Sequence, residues 1–520
     1  MAWKQPVWCA RPLSASCVSC CYKPASHTPA IAEARADRYN GVSRGNTAAP
    51  HTLQATPLTP LPFTKLPLAP ELQATLSDLG YHTMTPVQAQ SLPQVLAGRD
   101  IIAQAKTGSG KTAAFGLGLL AKLEVKRFCV QSLVLCPTRE LADQVANEIR
   151  KLARGIHNIK VLTLCGGQPF GPQLGSLEHG AHIIVGTPGR VEEHLRKASL
   201  SLAQVDTLVL DEADRMLEMG FQASLDAIVE QTPAKRQTLL FSATYPTQIE
   251  AIAQRILREP VRVEVEEQHN ADSIEQHFYN INDEAQRLLA TRLLLLQFSP
   301  ESAMVFANTK KEVQELCDTL CAHGFSAAAL HGDMEQRDRD QTLIQFGNKS
   351  VSILVATDVA ARGLDISAVD LVINYHLARD SEVHVHRVGR TGRGGSRGIA
   401  CSLFSDKEHY KLMLLQDYLG HDIAGETLPD ESILRKPPRQ AAMTTLQIDG
   451  GKKQKIRPGD ILGALTGEGG IDGDQVGKIN MAPMRSYVAV KREVAKKALK
   501  ILNEGKLKGR SCRARIISQR

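Results

Sequence analysis

Along the chain, short uninterrupted apolar runs alternate with stretches in which apolar positions recur every three to four residues. Runs at 132–136, 161–164, 182–185, 207–210 and 238–241 are rich in Val, Ile, Leu and Phe, with helical patterns between them. A strand that is apolar at every position has both faces buried, which predicts a parallel sheet covered by helices on each side. The same alternation returns at 303–307, 327–330, 352–355, 371–374 and 399–404. Polar residues 266–272 separate the two series and read as a linker. Past 440 the rhythm changes: strands are expected at 445–449, 476–481, 487–490 and 512–517, and helices at 457–465 and 492–503, in the order β-α-β-β-α-β. The expected organisation is a leader at 1–60 and α/β domains at 61–265 and 274–425. A linker at 426–440, containing Pro437-Pro438, and a small α+β domain at 441–520 complete it.

Composition changes this picture little, and charge changes it more. The 520 residues are too many for one core, and 43% apolar with 22% charged residues is ordinary for a globular chain. Residues 1–60 are rich in Pro, Ser, Thr and Ala without period, as in disordered segments. The first thirty-two carry Lys4, Arg11 and Lys23 but no acid, a faint resemblance to an organelle transit peptide without a secretory apolar region. Cys17, Cys20 and Cys21 lack the second ligand pair that a zinc knuckle needs. The eleven scattered cysteines read as reduced thiols in a cytoplasmic protein, and no apolar run is long enough to predict a membrane span. Residues 441–520 hold 17 Lys and Arg against 7 Asp and Glu, about +10 of a net +7, so the rest carries about −3. A basic block of this kind points to a polyanion partner.

Candidate chemistry starts at Ala105-Lys106-Thr107-Gly108-Ser109-Gly110-Lys111-Thr112, between an apolar run at 100–104 and a helical stretch at 113–123. A strand turning through glycines into a helix aims unpaired N–H groups and the positive dipole end at one point, a seat for phosphate. Lys111 reaches the β/γ-phosphates and the Thr112 hydroxyl suits Mg²⁺. The strand at 207–210 runs into Asp211-Glu212-Ala213-Asp214. A carboxylate at the tip of a buried strand needs a cation, which Mg²⁺ on a nucleotide supplies to Asp211, leaving Glu212 to orient or deprotonate the attacking water.

With these two segments on the chain, residues 63–419 resemble the DEAD-box ATP-dependent RNA helicases, which have two RecA-like domains. Ala105 is the usual P-loop residue of that family. The resemblance implies that Gln88, in Thr85-Pro86-Val87-Gln88, reads adenine through its amide and that Phe63 stacks on the base. It implies RNA contacts at Pro137-Thr138-Arg139, at Gly166-Gly167, at Thr187-Pro188-Gly189-Arg190, at Arg339 and at Thr357, all blind to base identity. Gly363 and Asp365 fall in the segment that reaches the ATP ribose, and Ser242-Ala243-Thr244 in the one that links the carboxylates to domain closure. In His386-Arg387-Val388-Gly389-Arg390-Thr391-Gly392-Arg393, the three arginines share a face if the segment is helical. By resemblance Arg390 and Arg393 are arginine fingers, and His386 faces the DEAD segment. Lys111, Asp211, Glu212, Arg390 and Arg393 are thus the expected catalytic set, divided between two domains that must close on ATP.

The β-α-β-β-α-β order of the basic module is that of a small RNA-recognition fold. Where that fold carries several aromatics on its central strands, this chain has only Tyr487, so recognition is expected from loops such as Gly451-Lys452-Lys453 and 506–515. The module, 459–466 above all, is similar to the C-terminal domain of the bacterial DbpA subgroup. That resemblance implies docking on a hairpin of 23S ribosomal RNA and a role in assembly of the large ribosomal subunit, the enzyme acting as a monomer. The rival expectations are an ATP-gated RNA clamp that does not unwind, and a DNA helicase.

Overall fold

The computed structural model describes residues 52–53, 61–105, 108–245, 247–265, 274–361, 368–392 and 397–517. Lobe 1 is built on strands β1 (Thr52–Leu53), β2 (Ile101–Gln104), β3 (Ser132–Leu135), β4 (Val161–Leu164), β5 (Ile183–Gly186), β6 (Thr207–Asp211), β7 (Gln237–Ser242) and β8 (Val261–Glu264). All run parallel, in the order β1-β8-β2-β7-β6-β3-β5-β4. The apolar runs are uninterrupted for the reason expected. Val134 points into a core with Phe115, Val145 and Ile149, while its neighbours Leu133 and Leu135 point the opposite way, onto Leu195, Met216 and Ile228. Two of the leader residues, Thr52 and Leu53, belong to this sheet as its edge, parallel to β8. The rest of the expected leader and the 266–272 linker lie outside the described residues.

The helices of lobe 1 are α1 (Pro70–Asp78), α2 (Pro86–Leu96), α3 (Lys111–Lys122), α4 (Arg139–Leu152), α5 (Phe170–Leu177), α6 (Pro188–Arg196), α7 (Ala213–Glu218), α8 (Gln222–Glu230) and α9 (Thr247–Ile256). Lobe 2 repeats the scheme with β9 (Ile274–Asn280), β10 (Ala303–Phe306), β11 (Ala327–Leu330), β12 (Ile353–Ala356), β13 (Leu371–Asn374) and β14 (Gly398–Phe404). Their order is β11-β12-β10-β13-β14-β9, again parallel. Its helices are α10 (Glu284–Phe298), α11 (Lys310–Ala322), α12 (Gln336–Gly347), α13 (Asp358–Ala361), α14 (Ser381–Val388) and α15 (His409–Leu419). Strand β9 carries Glu275, Gln276 and His277 on a sheet edge, so it lacks the apolar run that marks the interior strands.

The linker residues 426–440 are packed on lobe 2. Their short helix Glu431–Arg435 buries Ile433 in the lobe 2 core, and Arg439 pairs with Glu301 at 2.6 Å. The C-terminal sheet comprises β15 (Met443–Ile448), β16 (Val476–Met481), β17 (Ser486–Lys491) and β18 (Ala514–Ile516), antiparallel in the order β16-β17-β15-β18. Helices α16 (Pro458–Thr466) and α17 (Ala495–Glu504) cover one face through Leu446, Ile448, Val488 and Val490. The fold is therefore two RecA-like lobes and a third, small α+β domain.

Candidate nucleotide and RNA sites

Strand β2 ends at the P-loop, and Gly110, at φ +94°, turns the chain into α3. A cavity of about 320 Å³ opens there, lined by Gly108, Gly110, Lys111 and Thr112 on one side and by Asp211 and Glu212 from β6 on another. Lys111 is buried, and its ammonium donates to the Ala105 carbonyl at 2.7 Å. Ser109 is also buried, while Lys106 and Thr107 fall outside the described residues. Asp211 is 3% exposed, and burial pushes its carboxyl up to about 7 against the opposing charge of Lys111. Its Oδ1 has no hydrogen-bond partner, an orphaned carboxylate oxygen across the cavity from Thr112. A buried acceptor of that kind is costly unless a cation meets it, so the donor set fits Mg²⁺ carried on a nucleotide. Glu212 stands at φ 53°, ψ 53°, a left-handed conformation rare outside glycine and common where strain is held at functional sites.

The two residues expected to meet the adenine are both buried. Gln88 is buried, accepting from Thr85 N–H at 2.9 Å and donating to the Gly110 carbonyl at 3.0 Å. Each end of the amide is engaged once within the protein, so Gln88 fastens α2 to the P-loop and still has a second N–H and a second lone pair for a ligand at the cavity wall. Phe63 is 2% exposed within the core, its ring 6.2 Å from Tyr81 in an edge-on pair. The aromatic on the cavity wall is Tyr81, whose hydroxyl donates to Glu148 Oε1 at 2.8 Å.

The DEAD segment is held by its neighbours. Thr244 donates to Asp214 Oδ2 at 3.0 Å through both N–H and hydroxyl, and Asp214 N–H reaches Ser242 Oγ at 3.4 Å. Across the cleft, Arg215 donates to His386 Nδ1 at 2.8 Å. A small pocket beside that contact is lined by Arg215, His386, Arg387 and Arg390. The helix assumed for a shared arginine face stops short of Arg390. Helix α14 ends at Val388, Gly389 caps it and Gly392 takes φ 65°, so Arg390 lies beyond the helix. Arg387 is instead structural, bound by Asp358 at 2.6 and 2.8 Å and donating to the His376 carbonyl at 2.7 Å. Arg390 is 5% exposed, whereas Arg393, Gly363 and Asp365 lie outside the described residues.

Three of the segments expected to touch RNA, those of Arg139, Gly167 and Arg339, meet at the lobe boundary. Thr138 caps α4 by accepting from Leu141 N–H, and Arg139 reaches Asp340 of lobe 2 at 3.3 Å. Glu140 in turn receives Arg339 at 3.2 Å and Gln336 at 3.0 Å. Gly167 lies against Gln336, with room for a Cβ 3.7 Å from it. Thr187 accepts from Gly166 N–H at 3.3 Å, Arg190 donates to the Gln168 carbonyl at 3.0 Å, and Gly189 faces open space. The Gln168 side-chain oxygen, in the orientation its surroundings favour, accepts from Arg139 at 2.9 and 3.2 Å. Gln168 therefore joins two of the expected RNA arginines and was not anticipated, since glutamine in a loop carries no pattern. Thr357 caps α13 through Ala360 N–H at 3.4 Å. Pro137 is buried in the bend that leads from β3 into α4.

In the third domain Lys452 and Lys453 are exposed, and Lys508 donates to the Lys455 carbonyl at 3.0 Å, so the two basic loops form one surface. Tyr487 is 6% exposed, which removes the last aromatic from the open sheet. The sheet face opposite the helices meets lobe 2: Thr445 Oγ1 lies 2.6 Å from Ser350 Oγ, and Asn348 donates to it at 3.3 Å.

The family models of the DEAD/DEAH box helicases, the helicase conserved C-terminal domain and the DbpA RNA binding domain match residues 85–252, 285–395 and 445–516. The chain is 44% identical over 347 residues to the DEAD-box ATP-dependent RNA helicase CshA of Geobacillus kaustophilus, covering 66% of this chain and 74% of that one. The solved structure of S. cerevisiae Dbp5 bound to RNA and ADP BeF3 matches 73% of this chain and all of its own, at 30% identity and a TM-score of 0.62. The chain belongs to the DEAD-box ATP-dependent RNA helicases. It is 54% identical over 456 residues to the ATP-dependent RNA helicase DbpA of Escherichia coli K12, spanning 88% of this chain and 99% of the relative. With the matching third domain, that makes it an ATP-dependent RNA helicase of the DbpA type.

Proposed function

We propose that ATP binds between the P-loop of lobe 1 and the Arg390 segment of lobe 2, and that RNA across the lobe boundary favours the closed arrangement in which hydrolysis proceeds. The observation that carries this reading is the contact of Arg215 with His386, which brings the DEAD segment of one lobe against the helix leading to Arg390 of the other. Lys111 and the P-loop N–H groups hold the phosphates, and Thr112 and Asp211 hold Mg²⁺. The metal, when bound, neutralises phosphate charge. Glu212 orients the attacking water, and Arg390 with Arg393 meets the charge that develops on the γ-phosphate. Thr138, Arg139, Gly167, Thr187, Gly189, Arg190, Arg339 and Thr357 form the RNA track, which RNA enters by exchanging its phosphates for Asp340 and Glu140.

The joined loops of Lys452, Lys453, Lys455 and Lys508 bind the RNA that selects the site of action, a 23S ribosomal RNA hairpin in the large-subunit precursor. Short duplexes nearby are separated by ATP-driven closure, by a monomer in the cytoplasm. The test is phosphate release with and without that hairpin. Glu212→Gln should retain RNA binding while stimulated release falls by about 10³-fold or more. A variant as active as the wild type would remove Glu212 from its assigned role.

A further inference from the structure

Helix α15 carries apolar residues on its outward side as well as on its buried one. Leu412 and Leu415 are buried against Phe278, Leu377 and Phe404. On the outward side Tyr410, Met413, Leu414 and Tyr418 are 62%, 55%, 56% and 53% exposed. Their spacing of i, i+3, i+4 and i+8 places them in one stripe. A helix that is apolar on both faces is normally covered on both, and a clustered exposed patch marks a protein interaction site, whereas scattered apolar residues do not. Beside the stripe an open groove of about 650 Å³ runs between α14 and α15.

The rim of that groove sets the chemistry of its occupant. Asp380, Glu382 and Asp417 line it, and among the described residues none of the three has an ion-pair partner. Lys411 is engaged by Glu408 at 3.3 Å, which leaves Arg379 as the counterweight among the lining residues. Glu382 is raised above the usual carboxylate range by burial and by the neighbouring charges of Asp214, Asp380 and Glu218, which outweigh the opposing charge of Arg215. An apolar stripe bordered by unneutralised carboxylates repels nucleic acid and favours a cationic protein.

We propose that the α14–α15 groove and the outward stripe of α15 form a docking surface for a basic amphipathic helix of a partner protein. Leucine-like anchors lie on Leu414 and Tyr418, and lysines or arginines of the partner meet Asp380, Glu382 and Asp417. The site is placed to influence turnover. Ser381, at the start of α14, donates to the Leu414 carbonyl at 3.3 Å, and five residues later the same helix presents His386 to Arg215 of lobe 1. An occupant that shifts the α14 start therefore acts on the helix that bridges the lobes.

The test uses the full-length protein without RNA and a fluorescent helical peptide of about five turns, leucine on one face and lysine on the other. A twin with glutamate for lysine serves as control. Saturable binding of the lysine peptide is expected. Leu414→Asp should weaken it about tenfold, and the pair Glu382→Lys with Asp417→Lys should shift preference to the glutamate twin. These positions are surface-facing, and circular dichroism verifies that each variant is folded. Equal binding of the twins, or indifference to both sets of substitutions, would overturn the proposal. So would sedimentation showing wild-type self-association that Leu414→Asp abolishes, which would assign the face to a second copy.

Discussion

His384 lies buried with Nε2 3.1 Å from Gln276 Oε1, its ring stacked on Phe278. Burial, with the Arg387 charge adding to it, lowers its pKa from 6.5 to about 3. The folded lobe keeps this imidazole neutral, whereas the unfolded chain takes up a proton below 6.5. Its contribution to stability is complete above that pH and is lost as pH falls from 6.5 towards 3, on the order of 1 kcal/mol for the first unit. Thermal midpoints of wild type and His384→Gln should therefore converge between about pH 7.5 and pH 5.5; parallel curves would mean that the folded imidazole is already charged. A second residue-scale prediction concerns the base. With Phe63 enclosed and Tyr81 on the cavity wall, Tyr81→Ala should raise KM for ATP about tenfold and leave kcat within about twofold. A larger effect from a conservative change at Phe63 than from Tyr81→Ala would return the stacking role to Phe63.

The P-loop shows how one element depends on another's side chains. A Cβ on Gly110 would lie 2.4 Å from Gln88 Nε2, and the residue sits at φ +94°. Gly110→Ala must strain the loop and push α2 away. It should cost about 1–3 kcal/mol of stability and abolish nucleotide binding, as calorimetric titration with ATP would register. Retained ATP binding would show that α2 yields without disturbing the loop. The glycines, the lysine and the strand–helix context of this loop were legible in the sequence, because phosphate binding needs backbone geometry that few residues permit. The engagement of Gln88 was not legible, since an amide's partners depend on where α2 is packed. The arginine segment makes the same point in reverse. Its spacing suits a helix, but α14 stops at Val388, and Arg387 turns inward to Asp358.

At the scale of the molecule, the third domain presents its sheet face to lobe 2, where an isolated RNA-recognition fold would use that face for RNA. Thr445 is 1% exposed between Ser350 and Asn348, and Met443 N–H donates to the Lys349 carbonyl at 3.3 Å. The third domain and its basic loops are thus held on lobe 2. Thr445→Arg inserts a long charge into this interface and should release the domain. Small-angle scattering should then give a larger radius of gyration, and RNA-stimulated ATP turnover should fall several-fold while hairpin affinity changes little. An unaltered radius and turnover would deny the interface that role.

The sequence by itself determined the local grammar: which runs are buried strands, where glycines seat a phosphate, and where the strand β6 delivers its carboxylates. These follow from periodicity and backbone sterics, which act over a few residues. Only the tertiary structure decided which of two aromatics lines the cavity, that Arg387 turns inward to Asp358, and that the linker 426–440 is packed on lobe 2. Those outcomes depend on burial and on partners hundreds of residues away, and no local pattern encodes them.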